Sequence, residues 1–145
     1  CAQDIDPDQQ DKDGRTPLSW AAQYGHTEVV KVLLCDDRVD PDRQNEHGQT
    51  LLIWAARKSR MEVVETLLSD GRVDPARQDN RSRTPLSYAA ENSHTEVVNT
   101  LLSDGRIDPD RQDNYGRTPL SWAVENRYAE VVEILLSNSR VRSMK

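Results

Sequence analysis

The chain has 145 residues, with 19 Lys and Arg set against 25 Asp and Glu, a formal net charge of −6. A net acidic chain is poorly matched to phosphate backbones, so the expected partners exclude nucleic acid. No apolar run approaches the roughly 20 residues that span a bilayer, so no membrane partner is expected either. The first thirteen residues are polar and acidic, unlike a secretory signal, and the two cysteines, Cys1 and Cys35, give neither a disulfide framework nor metal-ligand spacing. The expected location is therefore cytoplasmic.

Taken in order, the chain is one unit repeated. Thr16, Thr50, Thr84 and Thr118, each 34 residues after the last, open the segments TPLSWAA, TLLIWAA, TPLSYAA and TPLSWAV. Val29-Val30 and Leu33-Leu34 return at the same step, as does Asp-Pro at Asp6-Pro7, Asp40-Pro41, Asp74-Pro75 and Asp108-Pro109. Residues 1–15 read as the tail and finger of a preceding unit. The repeats then fall at about 11–44, 45–78, 79–112 and 113–145, forming a single domain over 1–145.

Within a unit, Thr16 is placed to cap a helix, and Pro17 suits its first position because the missing N–H would be orphaned there anyway. Leu18, Ala21 and Ala22 share one face, and Gly25 is placed to end the helix. Ser59, Ser93 and Arg127 hold that terminating position in the other units, which predicts strained ends there. Thr27 and Thr95 are expected to cap a second helix, with Glu28 and Glu96 in its first turn. Val29, Val30, Leu33 and Leu34 give it a broad apolar face. Asp36 to Gly48 reads as loop and turn. Beyond Ser137 the sequence loses the loop pattern and turns basic. Helices of about eight residues are marginal in water, so the units must stack and hold one another up.

The unit DKDGRTPLSWAAQYGHTEVVKVLLCDDRVDPDRQ resembles an ankyrin repeat, on Asp11, Gly14, Thr16, Pro17, Leu18, Ala21, Ala22, Gly25, His26, Val29, Val30, Leu33 and Leu34. The resemblance implies an all-α solenoid of stacked helix-turn-helix units with β-hairpin-like fingers, and it implies no catalysis. The TPLSWA wording and the near-identity of units resemble arrays of fungal receptor and signalling proteins. Some positions depart from the pattern. Ser19, Ser87, Ser121 and Ile53 stand where the family has His, Leu51 replaces Pro, and the unit is one residue longer than usual, around Asp36 to Asp40.

Little in the sequence points to chemistry. His26 and His94 share a register position near a helix end, where a backbone hydrogen bond between units is expected. No glycine-rich phosphate loop and no nucleophile motif occur. Asp11-Lys12-Asp13-Gly14 has part of the spacing of a calcium loop, but Gln9 breaks the run and no bidentate Glu follows. Neither catalytic nor metal residues nor a cofactor are expected. The aromatic row Trp20, Trp54, Tyr88 and Trp122 repeats with the unit and is read as packing between units rather than a stacking platform for bases.

Positions that change between units are the candidates for recognition. At the finger tips these are Asp13, His47, Arg81 and Tyr115; at the ends of the first helices they are Gln23 and Tyr24, Arg57 and Lys58, Glu91 and Asn92, Glu125 and Asn126. In the architecture that the resemblance implies, they form one concave strip where a protein partner binds. Arg57, Lys58, Arg60, Arg81 and Arg83 make its middle basic, which suits a partner with an acidic patch. Tyr24 and Tyr115 are the candidate anchors. The expected assembly is a monomer, or a weak self-associate through incompletely capped ends. The leading rivals are a structural spacer or a consensus-like engineered scaffold without a natural ligand, and nucleic-acid binding through the basic middle, which requires steep salt dependence.

Overall fold

The computed structural model describes residues 5–138. These residues form eight helices and no strand: α1 (Pro17–Gln23), α2 (Thr27–Leu34), α3 (Leu51–Arg57), α4 (Met61–Leu68), α5 (Pro85–Glu91), α6 (Thr95–Leu102), α7 (Pro119–Glu125) and α8 (Ala129–Asn138). They pair as α1 with α2, α3 with α4, α5 with α6 and α7 with α8. The first helices of successive pairs pack in one row and the second helices in another, which is the expected all-α solenoid of helix-turn-helix units. Residues 1–4 of the expected preceding tail, and the basic stretch from residue 139 on, lie outside the described residues.

The first helices start as the sequence predicts. Thr16, Thr50, Thr84 and Thr118 are extended, and each hydroxyl accepts from the backbone N–H three residues on. The serines that replace histidine have a use of their own. Ser19 and Ser121 accept from the backbone N–H of Thr16 and Thr118, closing a reciprocal capping box. Ile53 cannot do this, so the start of α3 keeps only half of the arrangement.

The second helices start differently from the expectation. Thr27 and Thr95 are not caps but the first helical residues; the caps are His26 and His94, and neither makes a side-chain capping bond. The cause is the tight turn before them. His26 and His94 donate their N–H groups back to Ala21 and Ala89, while their carbonyls accept from Val30 and Val98, so the helix begins one residue early. The Thr27 hydroxyl is left free to bridge to Glu62 of the next unit, at 3.0 Å. That turn needs a left-handed residue. Gly25 takes φ +74°, and Ser59, Ser93 and Arg127 are forced to φ between 60° and 63°, the predicted strained ends.

Packing follows the repeat. Ala22, Ala55, Ala56, Ala89, Ala90 and Ala123 are fully buried, so small side chains let neighbouring helices approach. Val30, Val64, Val98, Leu67, Leu101 and Leu135 complete a core that runs the length of the array. Val29 is 48% exposed whereas its register mates Val63 and Val97 are buried, because no helix pair covers that side of the first unit among the described residues.

Two of the sets of polar contacts that fasten unit to unit recur along the array. In the loops after the second helices, Arg72 forks onto Asp70 and donates to Val39 O at 2.8 Å and Leu34 O at 2.6 Å of the preceding unit. Arg106 repeats this on Asp104, Val73 O and Leu68 O, and Arg38 reaches Ile5 O. Each finger is a turn closed by an N–H to carbonyl bond, such as Asp79 to Arg83 at 2.9 Å. Neighbouring fingers are clamped by asparagine. Asn80 donates its backbone N–H to His47 O and its side-chain amide to Glu46 O, both at 3.0 Å. Asn114 does the same to Arg81 O and Asn80 O. Among the described residues no such bond joins the first finger to the second, where Glu46 offers no amide donor.

Candidate functional site

The ends of the first helices and the finger tips come together between the second and third units. A groove of about 500 Å³ is lined there by His47 and Arg81 from two fingers and by Arg57, Glu91 and Asn92 from the ends of α3 and α5. Five of the sequence-predicted residues thus share one recess. Its floor is Tyr88, whose hydroxyl donates to Asp79 at 2.5 Å. Burial pushes that hydroxyl's pKa up, and the bond to Asp79 adds to the shift. Tyr88 is therefore a neutral wall at physiological pH.

The charges of this face are set by a pairing that changes from unit to unit. In the third unit Arg83 is buried, with its guanidinium 3.9 Å from the ring centre of Tyr88 and 4.1 Å from that of Trp122 in the next unit. It donates to Ser87 Oγ at 3.2 Å and pairs with Glu91 at 2.7 Å. A buried guanidinium is tolerated because every side of it meets an acceptor or a ring. In the fourth unit Arg117 stacks on Trp122 and pairs with Glu125. Those two rungs are self-neutralised.

The first two units break the pattern. In the first, Arg15 lies over Trp20 at 4.7 Å, but the glutamate position is Gln23 and no carboxylate holds the guanidinium inward. A cavity of about 300 Å³ opens at this junction, lined by Arg15, Ser19, Gln23 and Trp54, the register counterparts of Arg83, Ser87, Glu91 and Trp122. In the second unit the rung is inverted. Gln49 takes the arginine position, and Arg57 takes the glutamate position. Arg57 sits 5.8 Å over Tyr88 and makes no ion pair among the described residues. Lys58 and Arg81, both exposed, likewise make none.

The basic middle expected from the sequence is therefore smaller than its residue list. Arg83 is buried and neutralised by Glu91, so it offers nothing to a partner. Arg60 donates across the junction to Gln23 O at 3.3 Å. It takes the role of His94, whose Nε2 lies 2.7 Å from Arg57 O; the expected histidine bond between units is present there. Arg57, Lys58 and Arg81 remain. The aromatic row does pack between units, but through an arginine layer rather than ring to ring, and only Tyr88 of the four is buried.

The other predicted residues lie outside the groove. Tyr24 is 59% exposed and stacks on Trp20, with centroids 5.7 Å apart and planes 5° from parallel. Asp13 and Gln23 line the first-junction cavity. Tyr115 is 77% exposed at the last finger tip. Asn126 turns its amide back onto Trp122 O and so finishes its own helix, as Asn92 does onto Tyr88 O inside the groove. Sequence reasoning missed the loop arginines and the finger asparagines. The signal for the first was Asp-x-Arg before Val or Ile at a constant step, and for the second Asn80 and Asn114 in one register.

No helix among the described residues is long and apolar enough to cross a membrane. A family model for ankyrin repeats, spanning 3 copies, matches residues 2–79 and again 71–144. No curated protein matches the chain.

Proposed function

The chain belongs to the ankyrin-repeat family, whose arrays are generally protein–protein interaction modules and typically non-catalytic, and from that premise we propose that it is a non-enzymatic recognition module binding a partner protein on the face of fingers and first helices. The observation that carries this reading is the groove in which His47, Arg57, Arg81, Glu91 and Asn92 converge from four separate segments. None of the five belongs to the apolar core. The surrounding framework is fixed by caps, staples and clamps, so these side chains are held on a rigid base. Arg57, Lys58 and Arg81 carry charge that no carboxylate among the described residues pairs with, which favours a partner with an acidic patch and raises its rate of encounter. Tyr24 of the first unit and Tyr115 of the fourth lie in the units on either side of the second and third and supply exposed aromatic area.

The test compares proteins retained by the immobilised chain with those retained by Tyr24→Ala/Tyr115→Ala and by Arg57→Glu/Arg81→Glu. Partners lost from both variants support the reading. An identical retained set for all three proteins indicates a spacer, or a partner on another face.

A further inference from the structure

We propose that the groove between the second and third units is a subsite for a phosphorylated side chain, a phosphoserine or phosphothreonine of the partner. The inference rests on the docking face argued above and specifies what its centre recognises. In each unit, one register position at the end of the first helix and one at the finger tip face this strip. They hold Gln23 and Asp13, Arg57 and His47, Glu91 and Arg81, Glu125 and Tyr115. A helix-end cation and a finger-tip arginine meet in one recess only where Arg57 of the second unit meets Arg81 of the third, and His47 lines that recess with them.

The acids of the recess are already engaged. Asp79 accepts from the Tyr88 hydroxyl and from the backbone N–H groups of Arg81 and Arg83, and Glu91 holds Arg83. Arg57 and Arg81 are left with two guanidinium forks and no carboxylate among the described residues. One fork saturates the two oxygens of a carboxylate. Two forks suit a group with three terminal oxygens and a charge of about −1.5 to −2, which is a phosphate monoester near neutral pH. The recess of about 500 Å³ is open enough to admit such a side chain from a passing peptide, and the neutral Tyr88 forms its floor.

The experiment uses the whole chain and three fluorescein-labelled octapeptides of one Gly/Ser/Ala sequence, with a central phosphoserine, glutamate or serine, followed by fluorescence anisotropy at physiological salt. The phosphoserine peptide is expected to bind at least tenfold more tightly than the glutamate peptide, with inorganic phosphate competing. Arg57→Gln and Arg81→Gln are each expected to weaken it at least tenfold with the circular dichroism spectrum unchanged, while Lys12→Gln leaves it as it was. Equal affinity for phosphoserine and glutamate, no phosphopeptide binding at millimolar concentration, or full retention in Arg57→Gln/Arg81→Gln would overturn the proposal. So would tighter binding of a single-stranded oligonucleotide of equal charge, which would assign the groove to nucleic acid. The two readings fail separately. A captured partner that Arg57→Glu/Arg81→Glu releases but phosphatase does not leaves the docking face standing and removes the phosphate.

Discussion

Gly48 should be far less replaceable than Gly116, although the two share one backbone conformation. Both take φ +75° at a finger tip. A Cβ on Gly116 meets nothing within 4 Å, whereas one on Gly48 would lie 2.4 Å from Asn80 Oδ1 and 2.7 Å from Asn80 N. The left-handed conformation costs a non-glycine residue about 1–2 kcal/mol, partly offset by about 0.4–1 kcal/mol from a stiffer unfolded chain. Gly116→Ala should therefore lose about 1 kcal/mol or less. Gly48→Ala bears the same strain and must also push the third finger away. That breaks the two bonds of Asn80 to the second finger, each contributing about 0.5–1.5 kcal/mol. The summed loss for Gly48→Ala is roughly 1–4 kcal/mol. Urea unfolding of the two variants measures the difference, and amide exchange locates it, since protection should fall at Asn80 and not at Asn114. Gly14→Ala is a second control, because Gly14 has φ +80° and its only near neighbour is Gln10 Nε2 at 3.9 Å. Equal losses for Gly48→Ala and Gly116→Ala would refute the idea that fingers two and three are clamped face to face.

Arg72→Met removes the donors to Val39 O and Leu34 O and should cost about 1–3 kcal/mol in urea unfolding; a loss no larger than that of Lys12→Met would show the staple to be idle. Hydrogen bonds from Arg72 and Arg106 hold the Asp70 and Asp104 carboxyls below the usual carboxylate range. Groups depressed in the folded state stabilise it above the unfolded pKa, and that contribution disappears as pH falls through the folded pKa. Asp70→Asn should accordingly flatten the loss of stability below pH 4, and an unaltered acid-unfolding curve would contradict this. Asp42 works in the opposite sense, since burial raises its pKa, so Asp42→Asn should steepen the same curve. Gln23→Glu should draw Arg15 inward against Trp54, with at most about 1 kcal/mol gained at a partly exposed pair; the gain should vanish in Arg15→Gln, and additivity of the two changes would show that no pair forms.

The fold was legible because its determinants are local and repeat. A capping threonine, followed by proline in three of the four units, starts a helix, one or two alanines permit close approach, and a residue in the left-handed conformation ends it, in each unit at the same step. The start of the second helices was misread for a physical reason. Thr27 and Thr95 have good capping side chains, but the tight turn lets the carbonyls of His26 and His94 accept the first helical bonds. Propensity at one residue lost to the geometry imposed by its neighbours. The loop arginines were passed over because a charged residue in a polar loop looks solvated until its distance to the previous unit's carbonyls is known.

The site was legible only in part, because variability between units marks two different things. Glu91 and Glu125 vary against Gln23 and Arg57, yet they face Arg83 and Arg117 and complete structural rungs. Arg57 varies in the same column, lies over the Tyr88 ring and makes no ion pair among the described residues. The distinction lies in a second column, the residue before the capping threonine, which reads Arg15, Gln49, Arg83 and Arg117. Where arginine and glutamate occur together the charges cancel; where the acid alone is missing a gap opens, and where both are replaced a cation is left without an ion pair among the described residues. The first unit lost its acid and has a cavity, and the second lost its arginine and gained a surplus cation. Charge left unpaired among the described residues is thus concentrated where the internal pairing fails, at the first two units and their junction with the third, whereas the arginines before the capping threonines of the third and fourth units are each paired within their own unit.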